Sequence, residues 1–100
     1  MTLSEVLALT RQATDRLRLG GYDPALDAWL RDYAATHATV ALHLGELNAA
    51  PLCPDAEERR RREWARADLR DALIRELYHD PAAAEALRAA LAADGGGAIP

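Results

Sequence analysis

The sequence has no lysine and no phenylalanine, and one residue each of cysteine, serine and methionine in 100 positions. A lone cysteine excludes an intramolecular disulfide and a cysteine-cluster metal site. Five aromatic residues leave the core to small and aliphatic side chains, since alanine fills 23 positions and leucine 16. That supply suits helices packing closely. No stretch approaches the roughly 20 apolar residues that cross a bilayer. The N-terminus has no basic lead-in and reaches Glu5 before a long apolar run forms, unlike a secretory signal. The expectation is a cytoplasmic protein that meets no membrane, with Cys53 a reduced thiol in a loop. All twelve cations are Arg, a mark of GC-rich coding before it is one of chemistry. The net charge of −4 argues against a generally basic nucleic-acid coat protein.

One hundred residues allow one small core. No segment alternates with the period of two that marks a half-buried strand, and no internal repeat is present. The helix punctuation is clear. Thr2 and Glu5 form a capping box, with Met1 and Val6 placed for a hydrophobic staple. Helix 1 is predicted from Leu3 to Leu19, stopped by Gly20-Gly21. Asp23-Pro24 starts helix 2, with Asp as N-cap and Pro at the first helical position. Gly45 is the sole breaker before Pro51, so helix 2 is predicted to run to Ala49, about 39 Å at ~1.5 Å per residue. The linker Pro51-Leu52-Cys53-Pro54 cannot be helical through both prolines. Asp55 caps helix 3, and Asp80-Pro81 opens a short helix 4 that ends at Asp94. The predicted fold is all-α: one helical domain over residues 1–94 and a disordered tail over 95–100. Helices 2 and 3 form a long antiparallel hairpin, and a shorter helix before and after completes a small bundle.

Helix 2 carries the most regular pattern. Leu26, Leu30, Tyr33, His37, Val40, Leu44 and Leu47 alternate spacings of four and three, an a/d seam for a long partner helix. The seam fits the intramolecular hairpin, and part of it also fits a homo-oligomer interface. In helix 3, Arg59, Arg62, Arg66 and Arg70 share a stripe that runs into Leu73 and Leu77. The stripe reads either as a solvated face with pairs such as Glu57–Arg61, Glu58–Arg62 and Asp71–Arg75, or as a partner-binding face for an acidic protein or phosphates. Residues 51–80 hold seven Arg against eight acids, so the stripe is local. Trp64 reads as a surface ring packed under arginine stems.

No catalytic set is present. Ser4 stands alone on the first turn of helix 1, and Cys53 has no histidine near it in sequence. No metal or other cofactor is expected. His37 and His43 sit roughly 120° apart around a helix. Glu76-x-x-His79 has the spacing of di-iron bundles but no second copy, and His79 suits a helix C-terminus instead.

The stretch LHLGELNAAPLCPDAEERRRRE resembles the helical chorismate mutases over about 20 residues. Aligning Gly45 with that family's helix glycine puts His37 and Asn48 where its essential Arg and Lys stand, so the activity is not implied. DAWLRDYAATHATVALHLGEL and DLRDALIRELYHDPAAAEAL, within residues 27–87, resemble the helical hairpin of phage-type terminase small subunits. That resemblance implies an oligomerising hairpin used in DNA packaging. The chain departs from many members in lacking a separate N-terminal helix-turn-helix domain. The expected function is a non-catalytic, oligomerising adaptor that binds a protein, with nucleic acid a further candidate at the Arg stripe. The alternatives are a small acidic regulator or inhibitor of the phage-encoded antagonist type, binding a host protein, and a metal-binding bundle.

Overall fold

The computed structural model describes residues 1–19, 23–49 and 55–97, the side chains of residues 18 and 19 aside. Among them are five helices and no strand: α1 (Leu3–Leu19), α2 (Pro24–Ala34), α3 (Ala38–Asn48), α4 (Ala56–Leu77) and α5 (Pro81–Gly97). No described helix is long and apolar enough to cross a membrane. The Gly20-Gly21 stop, the Pro51–Pro54 linker with Cys53, and tail residues 98–100 lie outside the described residues. α5 runs to Gly97, three residues past the predicted Asp94 end.

α1 starts as its capping box dictates. The Glu5 N–H donates to Thr2 Oγ1 at 3.2 Å, and the Thr2 N–H to Glu5 Oε1 at 3.5 Å. The buried Thr10 and Thr14 hydroxyls donate back to the carbonyls of Val6 and Thr10, both at 2.9 Å, and so need no outside partner. Ion pairs strap α1 down. Arg88 of α5 meets Glu5 at 2.8 Å, and with the Thr2 hydroxyl and amide it holds the Glu5 carboxyl below the usual carboxylate range. Arg16 donates to the Leu91 carbonyl at 3.0 Å.

The predicted 26-residue helix 2 is two helices. No Gly or Pro breaks it. The Tyr33 carbonyl, which would accept from the His37 N–H in a continuous helix, is taken by other donors. It accepts from the Thr36 N–H at 3.2 Å, the Thr36 hydroxyl at 3.4 Å and His37 Nδ1 at 2.9 Å. The His37 N–H falls back to the Ala34 carbonyl at 3.4 Å, closing a tighter turn. His37 is then extended (φ −132°, ψ 95°) and becomes the N-cap of α3. Thr36, His37, Thr39 and Val40 are all weak helix formers, so little opposes the break.

The break sends the two halves to different partners. α2 packs on α5 and α3 on α4, while α1 lies against α4 and α5. The long hairpin of the prediction therefore survives only as the α3–α4 pair. Thr39 and His43 share a cleft with Asp71, Ala72 and Arg75, and Glu46 and Ala49 share one with Glu58, Arg61 and Ala65, so the two helices run antiparallel.

The core takes Val6, Leu9 and Ala13 from α1 and Leu26, Leu30 and Tyr33 from α2. α3 adds Val40 and Leu47, α4 adds Ala65, Leu69, Ala72, Leu73 and Leu77, and α5 adds Ala84, Leu87 and Leu91. Three caps close the bundle. Asp55 accepts from the Glu58 N–H at 2.8 Å and Asp80 from the Ala83 N–H at 3.2 Å, both local caps. Asp23 holds the N-cap position of α2 but makes no side-chain cap bond. Asp94, at the other end of the sequence, does so instead, accepting from the Ala25 and Leu26 N–H groups at 2.9 Å each.

Candidate binding surface

The seam of helix 2 is spent inside the chain. Leu26, Leu30, Tyr33, Val40 and Leu47 are buried, and His37 and Leu44 are half-buried. The residues that motivated an oligomer interface are thus occupied by α4, α5 and α1 of the same molecule. Around the break the rings of Trp29, Tyr33 and His37 stack, with centroids 4.9 and 3.8 Å apart. Burial, with Asp80 and Glu76 adding repulsion, pushes the Tyr33 phenol up to about 12. Its hydroxyl is buried and has no hydrogen-bond partner.

The Arg stripe of α4 is divided. Arg66, 12% exposed at its side chain, turns toward α1 and joins Asp15 at 3.3 Å while binding Glu63 at 2.7 Å. It holds two helices together, a correction to the purely solvent-facing reading. Arg62 and Arg70 are half-buried and Arg59 is exposed. The reason is angular. Arg62, Arg66 and Arg70 each lie seven residues before a buried leucine, Leu69, Leu73 or Leu77, and so share the core-facing azimuth within roughly 20°, whereas Arg59 precedes only Arg66. Their stems cover apolar surface while their heads reach outward. Burial in α4 begins at Ala65, within the arginine-rich half of the helix.

The flank of α4 that carries Ala65 and Ala72 faces α3. Ala65 and Ala72 are small enough to let the helices approach, and polar side chains rim the contact. A cleft of about 440 Å³ is lined by Glu46, Ala49, Glu58, Arg61, Arg62, Trp64, Ala65 and Asp68. Trp64 is 63% exposed, the most exposed of the large apolar side chains described. Arg61 beside it is tied to Glu57 at 3.1 Å and Glu58 at 3.6 Å, which raises its pKa further. The predicted Glu57–Arg61 pair is therefore present, but Glu58 also meets Arg61 rather than Arg62.

The cleft continues along the helices into a second one, about 220 Å³, lined by Thr39, His43, Asp68, Asp71, Ala72 and Arg75. His43 Nδ1 lies 3.7 Å from Glu46 Oε1 and is buried without a hydrogen bond. Sequence reasoning weighed His43 only against His37 and overlooked its carboxylate neighbours. The readable signal was a pair of i, i+3 spacings, His43-x-x-Glu46 and Asp68-x-x-Asp71, on helices that had to face each other. The pair it did weigh does not assemble. Glu76 turns to His37 Nε2 at 3.9 Å, while His79 is exposed just past the end of α4.

No protein-family model, no curated protein and no solved structure matches this chain.

Proposed function

We propose that the protein is a non-catalytic adaptor that works by binding a partner protein through the Trp64 face of α4. The observation that carries this reading is Trp64 itself, a large ring exposed at the mouth of a cleft while the chain's other tryptophan packs against the core. Tryptophan and arginine are the side chains that most often anchor protein interfaces. Arg61 lies beside the ring and Arg62 lines the same cleft, with no ion partner among the described residues. Charge favours protein over nucleic acid. Glu57, Glu58, Glu63 and Asp68 interleave with the arginines, and a phosphate backbone would meet these acids too. The terminase resemblance would instead make the partner duplex DNA, and the test separates the two.

A photoreactive residue is placed at position 64, or at the exposed Leu42 as a control, in the protein expressed in its native host. The expected result is a discrete protein adduct at 64, absent at 42 and lost on Arg62→Ala. Equal labelling at both positions overturns the reading. So does tight duplex-DNA binding whose log–log salt slope is about −0.9 per phosphate neutralised.

A further inference from the structure

We infer that the α3–α4 cleft holds a divalent metal ion, with His43, Glu46 and Asp68 as its protein ligands and zinc as the ion that suits them. One donor atom from each of these three side chains lies within 4.8 Å of the other two. His43 and Glu46 are one turn apart on α3, with Nδ1 and Oε1 separated by 3.7 Å. Donors ~2.1 Å from a tetrahedral ion stand roughly 3.4 Å from one another, so a small rotamer adjustment closes the set. Asp68 approaches from the facing helix.

The unmet need of one atom points the same way. His43 Nδ1 is buried and has no hydrogen-bond partner. The 3.7 Å separation from Glu46 is too long for a hydrogen bond. A metal ion between them would satisfy the nitrogen and draw both carboxylates inward. A neutral imidazole with two carboxylates brings a charge of about −2 to a dication. An imidazole donor disfavours calcium and magnesium, which take oxygen, and three protein ligands leave a fourth position for water. Asp71, one turn on along α4, and Arg75 line the same cleft. The ion would brace α3 against α4 at the polar edge of their contact. These ligands sit on two helices and meet only across the fold, so no spacing along the sequence joins them.

The test titrates zinc chloride into the tag-free, chelator-treated full chain by calorimetry and follows thermal unfolding in parallel. The expected result is one ion per chain and a higher Tm with zinc. His43→Gln and Asp68→Asn should each weaken binding by at least about tenfold with unchanged helical circular dichroism. Cys53→Ser and His79→Gln should bind as the wild type does. Should the His43 variant fail to fold, Glu46→Gln at an exposed position supplies the same test. Absence of saturable zinc uptake by the wild type overturns the inference. Undiminished binding by the ligand variants, or loss in Cys53→Ser, overturns it as well.

Discussion

The α2–α5 and α3–α4 contacts are built from different materials. α2 and α5 pack together and give Leu26, Leu30, Ala84, Leu87 and Leu91 to the core, and Asp94 seals the end by capping α2. α3 and α4 approach over Ala65 and Ala72, and their rim carries His43, Glu46, Asp68, Arg61 and Trp64. Large aliphatic side chains at the first contact fill space and remove water, which is a stabilising use. Alanines at the second bring two backbones close and leave long polar side chains arrayed at the edges, where they can meet something else. Both regions bury aliphatic side chains in the shared core, Val40, Leu47, Leu69 and Leu73 among them, and the surface chemistry is concentrated on the second.

That contrast can be broken most severely at Leu30. Leu30→Ala removes a side chain 1% exposed and should cost about 2–5 kcal/mol, read by urea denaturation. A loss below about 1 kcal/mol would mean that α2–α5 packing is not the anchor. Asp94→Ala comes next. It strips the acceptor from two N–H groups of α2 and should cost about 1–2 kcal/mol, although Asp94 is distant in sequence from the helix it caps.

Within α4 the stripe splits the same way. Arg66→Ala should cost about 1 kcal/mol, because its half-exposed partner Asp15 discounts the pair. Arg62→Ala should stay within about 0.5 kcal/mol. Equal losses would erase the distinction between a strapping arginine and a displayed one.

Tyr33→Phe deletes a buried hydroxyl that has no partner and should be neutral or stabilising by up to about 1 kcal/mol. It should also change the alkaline limb. The phenol is protonated in both states below its unfolded pKa of 10.0, so the raised folded value contributes fully there. As pH rises from 10 toward about 12 the unfolded chain ionises first, and that stability is lost. Denaturant midpoints measured across this window should fall more steeply for the wild type than for Tyr33→Phe. The smallest stability effect belongs to Trp64→Ala, within about 0.5 kcal/mol, with its consequence confined to partner capture.

Four helix starts were legible because their signals are local. Thr2 with Glu5, Asp23-Pro24, Asp55 and Asp80-Pro81 each act within one turn of the chain. The seam residues were legible as one apolar face, since spacing alone puts them on one side of a helix. The break at Thr36-His37 was not, because it depends on whether two side chains compete for the Tyr33 carbonyl or turn to solvent. The Arg stripe was legible as a stripe, but nothing in its spacing separates Arg66 from Arg62. Asp15 makes that difference, 51 residues earlier in the chain. His43 was legible as a histidine and its carboxylates as acids. Their convergence was hidden until α3 lay against α4.

The sequence by itself determined that this chain is helical, where most of its helices begin, and which faces are apolar. These follow from backbone hydrogen bonding, capping groups and a 3.6-residue period, all of which act over a few residues. Only the tertiary structure decided that the seam is bent and divided between two partners, and that Asp94 rather than Asp23 caps α2. It also decided that Arg66 is a strap and that His43, Glu46 and Asp68 share a cleft. The cap, the strap and the cleft depend on groups far apart in the chain, whose distances are set by which core packing closes, and the bend depends on how the Thr36 and His37 side chains turn, a choice that no residue pattern encodes.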